Sequence, residues 1–358
     1  LLNTPAYQVV IHPQVLEKAQ RLLTSVQAGT DALGARVGDV LATRTVADLT
    51  TIEFLEALVQ SKLPVIFAES AVHGDGSDWT QEELSLLGDI NISIPVTIFD
   101  DGRHSGPDVH TPPITGTLLF TPGALLRSSY GTPADWDEVV RDGKIDQSAF
   151  TALYERRLLP LFHHASQSSA ANGNDALITI PGLGCGQFAG PFRGQLGAHL
   201  EQALVSILER HAADLPHLRA VYFDPYAECS NARREIDHIA FLTRPLTQGN
   251  QHKPQLCPPT TYQEPGDDFS RCELFSMVAW DHVSWPGNDF FGGSRCTDDG
   301  VKSAATNAMH ALTGIEGEYC DITHAYLPPQ PHHTWEEVVR AEHLRLKVAD
   351  RHLVYPSN

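Results

Sequence analysis

The sequence predicts an α/β fold: a mostly parallel or mixed central sheet covered by helices on both faces, with helices added at the amino and carboxyl ends. Three observations predict it. From residue 63 onward, short apolar runs alternate with segments of helical periodicity. One run, Ala176 to Ile180, stops at Pro181; Gly182, Gly184, Gly186 and Gly190 follow, and then a helical pattern begins. That is a strand, a glycine-rich loop and a helix. Finally, 358 residues with 42% hydrophobic and 19% charged side chains suffice for a large core of this kind.

Each element has its own warrant. Val15, Leu16, Ala19, Leu22, Leu23 and Val26 recur at helical spacing, so the first 60 residues read as helical. Thr50 and Glu53 form a capping box ahead of Phe54, Leu55, Leu58 and Val59. Residues 63–68 read as a buried strand, Thr80 and Glu83 cap a short helix, and 92–99 and 116–120 are further strands. Between these two lies a loop, 100–113, rich in Asp, Gly, His and Pro. Asp146 caps a helix over 147–162, and another helix follows the glycine loop over about 192–211. Residues 219–223 read as a strand, 235–242 as a strand or irregular connection, and 247–268 as a long loop. A buried strand is expected over 274–280, then a helix over 300–312 capped by Asp298. A third capping box, Thr334 with Glu337, starts a C-terminal helix carrying Trp335, Val339, Leu346 and Leu353. The resulting division is a helical N-terminal extension (1–60), a catalytic α/β domain (61–325) and a C-terminal helix packed on it (326–358).

Charge and cysteine usage narrow the function. With 25 Lys and Arg against 44 Asp and Glu the formal charge is −19, so a polyanion such as nucleic acid is an unfavourable partner. No run of about 18 apolar residues predicts a membrane span, and no basic-then-apolar start reads as a signal peptide. Six cysteines stand singly without Cys-x-x-Cys, which speaks against a zinc ribbon and for a reduced, intracellular chain. The His163-His164 and His332-His333 pairs, and His104 with His110, lack a ligand spacing with a carboxylate. No metal is expected there.

Two loops carry the chemistry. In the first, Gly182, Leu183, Gly184, Cys185, Gly186, Gln187 and Phe188 can wrap a ligand. Glycines admit positive φ and close approach, and successive backbone N–H groups bind a phosphate without a lysine. No Gly-Lys-Ser/Thr follows, and the spacing is not Gly-x-Gly-x-x-Gly, so neither a P-loop nor a plain dinucleotide fingerprint is present. Cys185 as a nucleophile lacks an assigned base, and the alternative is a small residue in a phosphate loop. The second loop follows the 274–280 strand and holds Asp281, Asp289, Asp298 and Asp299. Pro286-Gly287-Asn288-Asp289 should turn sharply, Phe290 and Phe291 can wall a pocket or fill the core, and Gly292 leaves room for a ligand. Asp298 reads equally well as a cap.

The segment Ile180-Pro181-Gly182-Leu183-Gly184-Cys185-Gly186-Gln187-Phe188-Ala189-Gly190 resembles the diphosphate loop of macrodomains, the three-layer α/β/α fold that binds ADP-ribose. Thr117 to Leu126 is compatible with another macrodomain strand and loop. Asp281, Asp289 and Asp299, eight and ten residues apart, resemble the acidic set of the MavL-like arginine-specific ADP-ribosyl hydrolases, an atypical macrodomain group of bacterial effectors. Gly287 to Gly293 is also similar to the Gly-Ala-Phe-Gly-Gly loop of poly(ADP-ribose) glycohydrolases. Their Gly-Gly-Gly with Gln-Glu-Glu is absent, which argues against polymer cleavage.

The resemblance covers about residues 60–325. It implies removal of mono-ADP-ribose from arginine side chains of proteins, ubiquitin in the effector's case, without a cofactor. ADP-ribose is then ligand and product, Asp289 and Asp299 hold ribose and water, and Asp281 supports the arginine side. The site of action would be cytoplasmic, or a host cytoplasm for an effector. Two other readings stay open: a module that binds ADP-ribose without cutting it, and an unrelated α/β hydrolase. The absence of a Gly-x-Ser-x-Gly elbow weakens the latter.

Overall fold

The computed structural model describes residues 6–64, 78–128 and 131–357. Its strands in chain order are β1 (Gln8–Ile11), β2 (Asn91–Asp100), β3 (Val109–Pro122), β4 (Val140–Arg141), β5 (Lys144–Ile145), β6 (Asp175–Pro181), β7 (Leu218–Asp224), β8 (Ala232–Ile236) and β9 (Ile239–Thr243). They continue with β10 (Cys272–Trp280), β11 (Glu318–Cys320), β12 (Ala325–Leu327) and β13 (His352–Val354). Nine of them form one sheet in the order β13-β1-β2-β3-β10-β6-β7-β9-β8, while β4–β5 and β11–β12 are small hairpins. The sheet is mixed. Strands β3, β10, β6, β7 and β9 run parallel; β2 is antiparallel to β1 and β3, and β8 to β9.

Side chains alternate across this sheet, as the two-residue period requires. Leu177, Ala220, Tyr222, Leu274 and Val278 face one core, and Ile178, Val221, Phe223, Phe275 and Met277 face the other. Helices Pro13–Gln27, Thr51–Gln60 and Asp298–Ala304 cover the first face through Val15, Ala19, Phe54, Leu58 and Ala304. Helices Gln147–Ala171 and Leu196–His211 cover the second through Phe150, Leu153, Phe162, Leu200 and Leu204. Both faces are buried, so the parallel strands read as continuous apolar runs. The result is the three-layer α/β/α arrangement.

Several expectations are corrected. The first 60 residues are not wholly helical: β1 lies inside the sheet, paired antiparallel with β2 and parallel with β13. Of the strand expected over 63–68, residues 65–68 lie outside the described residues, and Leu63 forms a parallel bridge with Ser284. The loop after β2 is shorter than 100–113, because β3 starts at Val109 and extends a hairpin with β2. The helix begun at Gln147 passes through Pro160 to Ala171. Leu161, Phe162 and Ala165 stay buried beyond the proline, and Asn91 Nδ2 donates to Arg157 O at 2.8 Å in the interrupted turn. Residues 235–242 belong to a hairpin, β8–β9, turning at Asp237 with φ 55°. The 300–312 helix is two helices, Asp298–Ala304 and Ala308–Thr313, and its cap is Thr297, whose Oγ1 accepts from Gly300 N at 3.1 Å. The C-terminal helix spans only Trp335–Ala341; Leu346 is buried in an irregular segment, and Leu353 sits in β13.

Candidate functional site

The sheet opens at one place. β10 pairs with β3 as far as Trp280 opposite Pro122, but with β6 only as far as Ser276 opposite Thr179. β6 itself continues beside β7 to Pro181 opposite Asp224. The carboxyl ends of β6 and β10 therefore part, with the glycine loop on one lip and the aspartate loop on the other. Ligands of open α/β sheets bind at such strand ends.

The glycine loop is shaped by close backbone packing against the turn after β3. A Cβ on Gly123 would stand 2.2 Å from Gly184 N, and one on Gly190 would stand 2.4 Å from Leu126 O. Gly184 has φ +76° and Gly190 φ +54°, which side-chain-bearing residues seldom adopt. Tyr154 Oη ties the two turns, donating to Leu183 O at 2.7 Å and accepting from Ala124 N at 3.0 Å. Leu126 N donates to Phe188 O at 2.8 Å.

Within this frame Leu183 points into the core, and Gly186 and Gln187 are exposed. Gln187 Oε1 accepts from Arg127 Nη1 at 2.6 Å. Burial, then the charge of Glu228, pushes the Cys185 thiol pKa up, so this sulfur is protonated and a poor nucleophile. Phe188 is half-buried and meets His282 of the other loop edge-on at 5.9 Å. Leu126, Arg127, Trp136, Gly190 and Pro191 contribute to a depression of about 370 Å³ beside the loop.

The aspartate loop is held by its own acids. Asp281 is buried; its Oδ1 accepts from Val283 N (2.7 Å) and Ser284 N (2.8 Å), and its Oδ2 from Asn288 Nδ2 (2.6 Å) and the Ser284 hydroxyl. Asp299, equally buried, accepts from Gly287 N at 2.7 Å and Asn288 N at 2.8 Å. Burial and then the neighbouring Asp281 raise its pKa, against those two amides. Asp289 is the partly exposed member of the three. Its Cβ would lie 3.1 Å from a Cβ on Gly300, so it flanks the helix entry. Phe290 and Phe291 are core residues, Phe291 packing edge-on against Trp285 at 6.2 Å, so they are not an open ligand shelf. Gly292 is exposed, Asn288 is buried, and Gly287 takes φ +94° against Met309 and Ser303. Asp298 is not a cap: its Oδ2 accepts from Ala279 N at 2.9 Å.

Sequence reasoning missed three buried cations. Lys62 Nζ donates to His282 O at 2.7 Å and lies 4.1 Å from the Trp280 ring centroid. Burial, opposed by Asp281, pushes its pKa down to about 7. Lys302 donates to Gln255 Oε1 at 2.9 Å and to Met277 O, and pairs with Asp298 Oδ1 at 3.2 Å. Arg157 bonds Asp89 Oδ1 at 3.0 Å, Asp135 Oδ1 at 2.7 Å and Gly123 O at 3.0 Å, and so pins the turn after β3. A signal for Arg157 was present: it continues the apolar series Phe150, Leu153, Tyr154, Leu158, Leu161 on one helix face, where a charge must be paired. Three of the histidines singled out above have polar partners of their own. His164 Nε2 meets Ser93 Oγ at 2.8 Å, His110 Nε2 meets Leu256 O at 2.8 Å, and His104 Nδ1 meets Arg295 O at 3.2 Å. No group of three or more metal-ligating side chains occurs among the described residues.

A mixed α/β/α sheet whose open carboxyl end is lined by a glycine loop and an acidic loop defines a macrodomain. The family described as "Macrodomain effector MavL" matches residues 7–332, and the chain belongs to that family. No curated protein matches it. Membership connects the chain with ADP-ribose. Among the described residues, no helix is long and apolar enough to cross a membrane.

Proposed function

We propose that the protein is an ADP-ribosyl hydrolase that removes mono-ADP-ribose from arginine side chains of proteins, without a metal or cofactor. The observation that carries this reading is the parted end of β6 and β10, with exposed backbone at Gly186 on one lip and the partly exposed Asp289 on the other. The glycine loop suits a diphosphate, because it offers backbone N–H groups and tolerates close approach. The acids suit the other end of the ligand. Cleaving the link between C1 of the distal ribose and the arginine nitrogen builds positive charge on the sugar, which a carboxylate stabilises. Water adds to that carbon, the guanidine leaves with the bonding electrons, and a proton passes from the water to the leaving nitrogen. In this reading Asp289 orients that water, accepts its proton and hands it on to the leaving nitrogen. Asp281 and Asp299 serve the reaction indirectly, by fixing the loop that presents Asp289. A guanidinium substrate also fits an anionic rim.

The partner is an ADP-ribosylated protein, with ubiquitin the natural first substrate to try. The description of the family as an effector supports action in a host cytoplasm. A second reading, a module that binds ADP-ribose without cutting it, is favoured by the two aspartates spent on the loop itself. The experiment is release of free ADP-ribose from arginine-modified ubiquitin and from poly(ADP-ribose), beside calorimetric titration with ADP-ribose. The hydrolase reading expects release from modified arginine and its loss in Asp289→Ala. Tight binding with no release from any linkage supports the reader, and no binding at all removes both.

A further inference from the structure

The split between β6 and β10 leaves polar backbone on β10 without a strand partner, and two side chains meet it. Lys302 Nζ donates to Met277 O, and Asp298 Oδ2 accepts from Ala279 N at 2.9 Å. The same two side chains pair with each other at 3.2 Å. We infer that Asp298 is a further ligand-contacting carboxylate of this site, and that Lys302 is the residue that positions it. The inference rests on the ADP-ribose reading above and adds a residue to it.

Valence decides which of the pair faces the ligand. Lys302 is almost wholly buried: its Nζ donates to Met277 O and Gln255 Oε1, and its charge is paired with Asp298 Oδ1 at 3.2 Å, so it does not face the cleft. Asp298 keeps 24% of its side chain exposed, and each oxygen holds one contact within the protein, so lone pairs remain on both. Around Lys302 stand Asp298, Asp224 and Asp299, with Asp224 Oδ2 fixed by Gln255 Nε2 at 3.2 Å. One buried ammonium thus keeps an acidic cleft from repelling itself. A carboxylate anchored at two points, with open lone pairs, selects a hydrogen-bond donor and disfavours a phosphate. Asp289 flanks the same helix entry, so the donor belongs to the part of the ligand near the bond to be cut: the hydroxyls of the distal ribose.

The test compares ADP-ribose with ADP, which lacks that sugar. Wild type, Asp298→Asn and Lys302→Met are titrated with both ligands, and melting temperatures are recorded alongside. Asp298→Asn is expected to lose about tenfold or more in affinity for ADP-ribose and a similar factor in turnover, and to bind ADP as wild type does. Lys302→Met should show the same pattern at smaller amplitude. Unchanged ADP-ribose affinity in Asp298→Asn overturns the inference, as does an equal loss for both ligands, which would move the contact to the adenosine end. If Asp298→Asn does not fold, Asp298→Glu is read instead: its carboxylate is displaced by one methylene, and the same selective loss is expected. Failure of wild type to bind ADP-ribose counts against the function proposed above, an outcome separate from these.

Discussion

At Asp281 each carboxylate oxygen accepts two hydrogen bonds from its own loop, whereas Asp289, eight residues on, stays partly exposed. Residues of one type at matching spacing therefore have different consequences when lost. Asp281→Ala strands Val283 N, Ser284 N and Asn288 Nδ2 in the interior. It should cost about 3 kcal/mol or more in urea unfolding. Asp289→Ala should move the unfolding midpoint far less and slow ADP-ribose release by about 100-fold or more. If the two variants lose stability alike, this division of roles is wrong. Cys185 gives a contrast. With its thiol held protonated by burial, Cys185→Ser should retain turnover, and iodoacetamide at pH 8 should label Cys185 more slowly than a free cysteine, as read by mass spectrometry.

The elements show which features a sequence can reveal. All three capping boxes form: Thr50 with Glu53, Thr80 with Glu83 and Thr334 with Glu337. Each needs only atoms three residues apart, so the signal is local. Strands β1 and β13 were hidden because they are short and owe their existence to each other and to β2, contacts spanning most of the chain. Trp335, Val339, Leu346 and Leu353 kept a helix-like spacing although a helix, an irregular segment and a strand share them; packing against the core sets their character, with Leu353 only partly buried. In the site, the glycine loop was legible because glycine is needed where backbone meets backbone. The cations Lys62 and Lys302 were not: Lys62 donates to His282 O, and for Lys302 only Asp298 is local, while Gln255 and Met277 come from remote segments. The Gly123–Gly184 contact makes its own prediction. Gly123→Ala forces a Cβ into Gly184 N, so the loops must separate. It should lower stability by about 1–3 kcal/mol and weaken ADP binding as well as ADP-ribose binding. A tolerant Gly123→Ala, with both affinities intact, would contradict the described packing.

Across the molecule, the buried ions set its response to acid. Burial alone would raise Asp89 and Asp135, yet Lys18, Arg156 and Arg157 at the former, and Arg157 and His282 at the latter, hold both well below their unfolded value of 3.8. A depressed folded pKa means that the unfolded chain binds the proton first. The stabilisation is therefore complete above the unfolded pKa and drains away as pH falls below about 4. Arg157→Met leaves two interior carboxylates short of charge and should cost about 3–5 kcal/mol at pH 8. Those carboxyls then protonate more readily, so the deficit relative to wild type should shrink at pH 5, measured by urea unfolding at both values. An equal deficit at the two pH values would show that lost packing, not charge, dominates.

The direction of β13 has a practical consequence. It runs parallel to β1, which shares its sense with β3 and β10 through the intervening antiparallel β2. The chain thus leaves β13 pointing the same way as the strands that open onto the cleft, four strand spacings from β10, or roughly 19 Å. Residues leading into β1 approach from the opposite rim. A bulky label attached just beyond β13 would stand on the cleft's side of the sheet. The same label attached just ahead of β1 would stand at the opposite rim, which makes that position the better tether for an immobilised assay.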